Sequence, residues 1–108
     1  MHVISRKKLR EFCQAHTDSC EAFDDFYITA SKANWGNLLE VQTVYLKAEA
    51  VGNFTVFNIK GNKYRLITSI NYERQVIYIK YALTFFVSQL KLLWMKLILK
   101  KFTNTNES

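Results

Sequence analysis

The hydrophobic pattern changes period midway along the chain. Leu9, Phe12, Cys13 and His16 fall at helical spacing behind a short strand-like start, His2-Val3-Ile4, and Ser5 stands where an N-cap would open the helix. Thr17-Asp18-Ser19 supplies a second cap signal. Ala22, Phe23, Phe26, Tyr27 and Ala30 then repeat the three-and-four spacing, with Glu21, Asp24 and Asp25 in the first turn. The pattern breaks at 34–37 around Trp35 and Gly36. Leu38-Leu39-Glu40-Val41 predicts a single helical turn, followed by a polar approach to Gly52-Asn53.

From there the residues favour strands. The stretches 54–60, 63–70 and 75–83 are rich in Val, Ile, Tyr and Phe and are separated by two turn sequences, Gly61-Asn62 and Asn71-Tyr72-Glu73-Arg74. They predict a three-stranded antiparallel meander. Helices followed by strands make an α+β domain with the helices packed on one sheet face.

A two-residue loop at Gly61-Asn62 sets Lys60 opposite Lys63, Asn58 opposite Arg65 and Phe57 opposite Leu66. A second connection symmetric about Tyr72-Glu73 sets Arg65 opposite Lys80 and Leu66 opposite Ile79. One face then holds Phe57, Ile59, Tyr64, Leu66, Ile70, Ile77, Ile79, Tyr81 and Leu83, a bed for the helices. The other gathers Asn58, Lys60, Lys63, Arg65, Tyr78 and Lys80. Like charges directly opposite one another destabilise a sheet, so an anion is expected over this face unless the long stems splay into water.

Residues 85–102 place apolar side chains at 86, 90, 93, 94, 97 and 98, with Lys91, Lys96, Lys100 and Lys101 mostly apart. This is a basic amphipathic helix, and Lys91 and Lys96 leave too short an apolar run for a membrane span. Packing on the sheet, docking in a partner's groove and lying on an anionic membrane are its three possible fates. Residues 103–108 form a polar tail.

Length and charge narrow the picture. A chain of 108 residues with 49% apolar residues, three Gly and no Pro has room for one domain spanning 1–108 and lacks the composition of a disordered protein. Residues 1–59 carry six positive and seven negative side chains, whereas 60–108 carry nine positive and two negative. A basic half points to a polyanion, nucleic acid before a membrane surface. Cys13 and Cys20 are too few for a disulfide scaffold and lack the neighbours of a zinc site, so they are expected as reduced, structural thiols, with no metal or cofactor. The charged start MHVISRKKLREF does not resemble an export signal, and a cytoplasmic location is expected.

The segment FTVFNIKGNKYRLITSINYERQVIYIKYALT and the start MHVISRKKLREF resemble the HigB-type toxins of the RelE superfamily, which belong to bacterial type II toxin-antitoxin systems. The resemblance covers roughly residues 1–84. It is most specific at Phe57-Asn58, Gly61-Asn62, Tyr64-Arg65-Leu66 and Lys80, where the family commonly has Arg. It implies a small α+β toxin fold and a metal-independent endoribonuclease that cleaves mRNA, usually on the ribosome. A helix-turn-helix, HigA-like antitoxin is the implied partner, and a membrane is not expected as one. After Thr84 the family typically has a His and, three residues on, a Tyr followed by an acidic residue. This chain has Phe85, Ser88 and Gln89 there.

Metal-independent RNA cleavage needs a base for the 2′-hydroxyl, cations for the crowded phosphate and an acid for the leaving 5′-oxygen. Arg65 is the candidate phosphate ligand, because a guanidinium is always charged and forks onto two oxygens. Lys63 and Lys80 are the other catalytic candidates, on the expectation that mutual repulsion lowers a lysine pKa. Asn58, Lys60, Asn62 and Tyr78 complete the expected RNA-binding set, Tyr78 either as a stacking platform or as an ordinary sheet tyrosine. His2 and His16 read as structural. The expected function is therefore an mRNA-cleaving toxin, with a catalytically silent RNA- or antitoxin-binding remnant as the alternative.

Overall fold

A computed structural model describes the backbone of residues 1–107 and the side chains of residues 1–98. The order along the chain is β1 (His2–Ile4), α1 (Arg6–Ala15), a 3-10 turn (Thr17–Ser19), α2 (Cys20–Lys32), α3 (Leu38–Gln42), β2 (Glu49–Val51), β3 (Phe54–Ile59), β4 (Tyr64–Asn71), β5 (Val76–Thr84) and α4 (Phe85–Glu107). The α+β class and the three long strands match the sequence reading. The sheet is larger, with five strands ordered β1-β5-β4-β3-β2. The strand-like start joins it as β1, parallel to β5, and the polar approach to Gly52-Asn53 contains β2, antiparallel to β3. Gly52 takes a positive φ of 59° in the turn between β2 and β3, a conformation that glycine adopts without a Cβ penalty.

Local signals work unevenly. Asn37 caps α3, its side-chain oxygen accepting from the Glu40 backbone N–H at 3.0 Å. Ser5 does not cap α1. It sits before the helix at φ 75° with no side-chain hydrogen bond, so it turns the chain from β1 without closing the helix end. The α-amino group of Met1 instead reaches the other end of the helical layer, donating to the carbonyls of Ala30, Ser31 and Ala33 near the C-terminus of α2.

The main core lies between the sheet and α1, α2 and α3. Leu9, Phe23, Phe26, Ala30, Trp35 and Val41 pack there on Phe57, Ile59, Tyr64, Leu66, Ile77 and Ile79. Cys13 and Cys20 are not free thiols. The tight turn at Thr17–Ser19 brings their Cα atoms to 4.9 Å, and a disulfide joins the end of α1 to the start of α2.

The β3–β4 register is the expected one, with Phe57 opposite Leu66 and Asn58 opposite Arg65. The β4–β5 register is not. Arg65 faces Leu83, and Leu66 faces Ala82. The connection turns nearer Glu73-Arg74, and the ladder passes from the Ile67–Tyr81 pair to the Thr68–Ile79 pair, leaving Lys80 as the extra residue of a bulge. The bulge reverses the alternation beyond Ile79. Tyr81 and Leu83, expected against α1 and α2, therefore belong to the opposite face, where Leu83 joins the second core.

The C-terminal helix covers that opposite face. Leu92 and Met95 meet Val51, Val56 and Ile67 in the second core, and Ser88 is fully buried. Sheet packing was one of the three fates considered, but the contacting residues are 88, 92 and 95 and not the expected stripe. Helical backbone continues through Glu107, so the polar tail is helical up to there, and residue 108 lies outside the described residues.

Candidate functional site

Arg65 lies on β4 beneath the first turns of α4. Its Nε donates to Asn58 Oδ1 at 2.9 Å across the β3–β4 pair, and its Nη1 donates to Gln89 Oε1 at 2.8 Å from the helix. The guanidinium carbon sits 4.3 Å from the centroid of the Phe85 ring. Two of five N–H donors are used in this cradle, and the remaining three have no hydrogen-bond partner among the described residues. Asn58 also borders an open pocket of about 320 Å³, which it shares with Lys47, Gly61 and Asn62.

The anion expected over the lysines comes from the chain itself. Asp18, in the 3-10 turn, receives Lys63 Nζ and the Tyr64 hydroxyl on its carboxylate, while Lys60 Nζ donates to its backbone carbonyl at 2.8 Å. Lys63 and Tyr64 together hold the Asp18 carboxyl well below the usual carboxylate range. The same contact pushes the Lys63 ammonium and the Tyr64 hydroxyl upward. Mutual repulsion therefore does not lower the Lys63 pKa as expected. The ion pair with Asp18 overrides it and makes Lys63 a poorer proton donor.

Lys80 does not face Arg65. The bulge exposes it beside Tyr78, with its Nζ 5.5 Å from that ring, and its carbonyl accepts from Lys8 Nζ at 3.1 Å. Tyr81, the next residue, is also exposed and lies 4.0 Å beneath Lys91 Nζ of α4. Two tyrosines and Lys80 of β5, with Lys91 of α4, thus form an open aromatic and cationic strip suited to unstacked bases and phosphates. Neither histidine belongs to this surface. His16 stacks on Phe12 at 4.3 Å in the helical layer, and His2 pairs with Val76 on β1.

The expected residues therefore separate into three groups: Arg65 with Asn58, Lys60 and Lys63 on Asp18 with Asn62 nearby, and Tyr78 with Lys80. Asp18, Gln89, Tyr81 and Lys91 were not among them. Only Asp18 left a trace in the sequence, through the lysine pair that required an anion.

An α+β domain with a basic hairpin and a cradled strand arginine fits the resemblance, and comparison with known families decides it. Residues 19–86 match HigB_toxin, the RelE-like toxic component of a toxin-antitoxin system. The chain belongs to this family. Comparison with curated proteins gives no match. The family match includes Asn58, Lys60, Lys63, Arg65, Tyr78 and Lys80 of this HigB-family toxin and stops near the start of α4, so Gln89 and Lys91 lie beyond it. Residues 1–18, including Asp18, precede it. Membership implies an antitoxin partner in general terms. Among the described residues of the toxin no helix is long and apolar enough to cross a membrane.

Proposed function

We propose that this toxin is a metal-independent endoribonuclease that binds mRNA, most effectively on the ribosome, across the α4-side face of its sheet. The carrying observation is the Arg65 cradle. Asn58 and Gln89 fix the guanidinium over Phe85 and leave three N–H donors for a phosphate, an arrangement that needs little reorganisation as charge builds in the transition state. In this reading Tyr78 and Tyr81 stack bases, and Asn62, Lys60 and Lys63 guide the strand at the hairpin tip. Lys80, which the bulge sets beside Tyr78 and away from Arg65, meets a flanking phosphate, while Asp18 keeps Lys63 in its ammonium form. The 2′-hydroxyl attacks the adjacent phosphorus and gives up its proton to solvent water, the P–O5′ bond breaks as the 5′-oxygen takes a proton from solvent, a 2′,3′-cyclic phosphate remains, and Arg65 neutralises the equatorial oxygens. The antitoxin in this reading is a HigA-like, helix-turn-helix protein, and the site of action is the cytoplasm.

A second reading keeps binding without cleavage. It is favoured by Gln89, which occupies Nη1, one arm of the fork a phosphate would take, from a segment that departs from the family pattern. The test uses the purified chain with labelled RNA, alone and on programmed ribosomes. The first reading expects cleavage that drops on the order of a hundredfold in Arg65→Ala. Binding with a reduced salt slope in Arg65→Ala but no cleavage by either protein would establish the second. Absence of binding under both conditions overturns both.

A further inference from the structure

Helix α4 has two apolar faces, and the sheet uses one. Ser88 and Leu92 are 0% and 4% exposed against it. On the opposite side Phe86 is 72% exposed, and Leu90, Leu93, Trp94 and Leu97 are each between 55% and 59% exposed. At 3.6 residues per turn these five occupy an arc of about 100°, with Lys96 on one flank and Lys91 on the other. No Asp or Glu occurs from 85 to 106, and Lys100 and Lys101 follow in sequence.

We propose that this face is a docking surface for anionic phospholipid membranes, with the apolar stripe entering the headgroup–acyl boundary and the flanking lysines meeting lipid phosphates. Three observations favour this occupant. Lysines along both edges of a solvent-facing apolar stripe are the arrangement of an interfacial helix, whose lysine stems run over apolar surface while the ammonium groups reach outward. A second copy of the chain would bring like charges together, because residues 85–106 supply no acid to pair with them. A coiled-coil partner would need a sustained seam. Phe86, Leu90, Leu93 and Leu97 begin one, but its next positions fall on Lys100 and Lys101, well short of the roughly three to four heptads a coiled coil requires. Trp94 further broadens the stripe beyond such a seam. The lysines that exclude a membrane span are the ones a helix lying on the surface uses. The apolar stripe is separate from the Arg65 cradle and shares only Lys91 with the strip over Tyr81, so the vesicle test reads it independently of RNA cleavage.

The test is co-sedimentation of the intact chain with phosphatidylcholine–phosphatidylglycerol vesicles and with pure phosphatidylcholine vesicles, together with tryptophan emission. Trp35 is buried, so a blue shift reports Trp94. The chain should pellet with the anionic vesicles and shift its emission, and Trp94→Phe should still pellet without the shift. Leu90→Ser/Leu93→Ser should remain in solution with an unchanged circular dichroism spectrum. Lys91→Gln/Lys96→Gln should bind roughly an order of magnitude more weakly. Failure of the intact chain to pellet overturns the proposal. So does equal pelleting of Leu90→Ser/Leu93→Ser, which would reduce the effect to general basicity. A dimer in gel filtration that Leu90→Ser/Leu93→Ser dissolves, without vesicle binding, would also overturn it by assigning the stripe to a second copy.

Discussion

A guanidinium held by an amide on one strand and an amide on the next helix has already lost much of the side-chain freedom that binding a phosphate would otherwise cost. Asn58 contacts Nε, a donor that lysine lacks, so Arg65→Lys should recover little of the cleavage lost in Arg65→Ala although it restores the charge. Rescue to near wild-type rate would show that charge alone matters. Asp18 makes a second prediction. Its carboxyl titrates below the ordinary value of 3.8 in the folded chain, so the unfolded state binds its proton more readily. The stabilisation is complete well above that value and declines as pH falls through it and below. Urea midpoints should therefore fall on acidification more in the wild type than in Asp18→Asn, with Asp18→Asn the less stable of the two near neutrality. Parallel pH profiles would show that the hairpin tip does not depend on this carboxylate.

At the scale of elements, α4 decides which part of the sheet remains open. Leu92→Ala should cost about 2–4 kcal/mol by leaving a cavity against Val56 and Ile67, whereas Leu90→Ala, on the exposed face, should change stability by less than about 0.5 kcal/mol. The reverse order would place the other face on the sheet. The sequence could not make this choice, because leucines occupy both sides of the helix. It served better where turn chemistry was explicit. Gly61-Asn62 fixed the β3–β4 register and with it the Asn58–Arg65 pair. The turn before β5, centred one residue beyond the expected place, and the bulge at Lys80 left no comparable mark, so the Arg65–Lys80 pairing and the placement of Tyr81 and Leu83 went wrong together. Glu49–Val51 was too short to stand out as a strand.

Across the whole molecule, the near-neutral half supplies the helical layer and β1, β2 and β3, and the basic half supplies β4, β5 and α4. Asp18 crosses that division by tying the helical layer to the β3–β4 hairpin. The Cys13–Cys20 disulfide closes the turn that carries Asp18, a pairing that needed the two helices to fold back before the cysteines could meet. Reduction should lower stability by about 2 kcal/mol, the scale for a short closed loop, and an unchanged melting temperature would remove the bond from the fold's support. The family and the Asn58–Arg65 pair were legible because they reside in contiguous strand and turn residues. The Gln89 contact was not, because it depends on how α4 docks. The most direct test of the central claim is primer extension on cellular mRNA after brief induction, comparing the chain with Arg65→Ala in cells that make no antitoxin. Cuts within reading frames that disappear in Arg65→Ala are the predicted result, and intact mRNA with both proteins, or identical cuts with both, would contradict it.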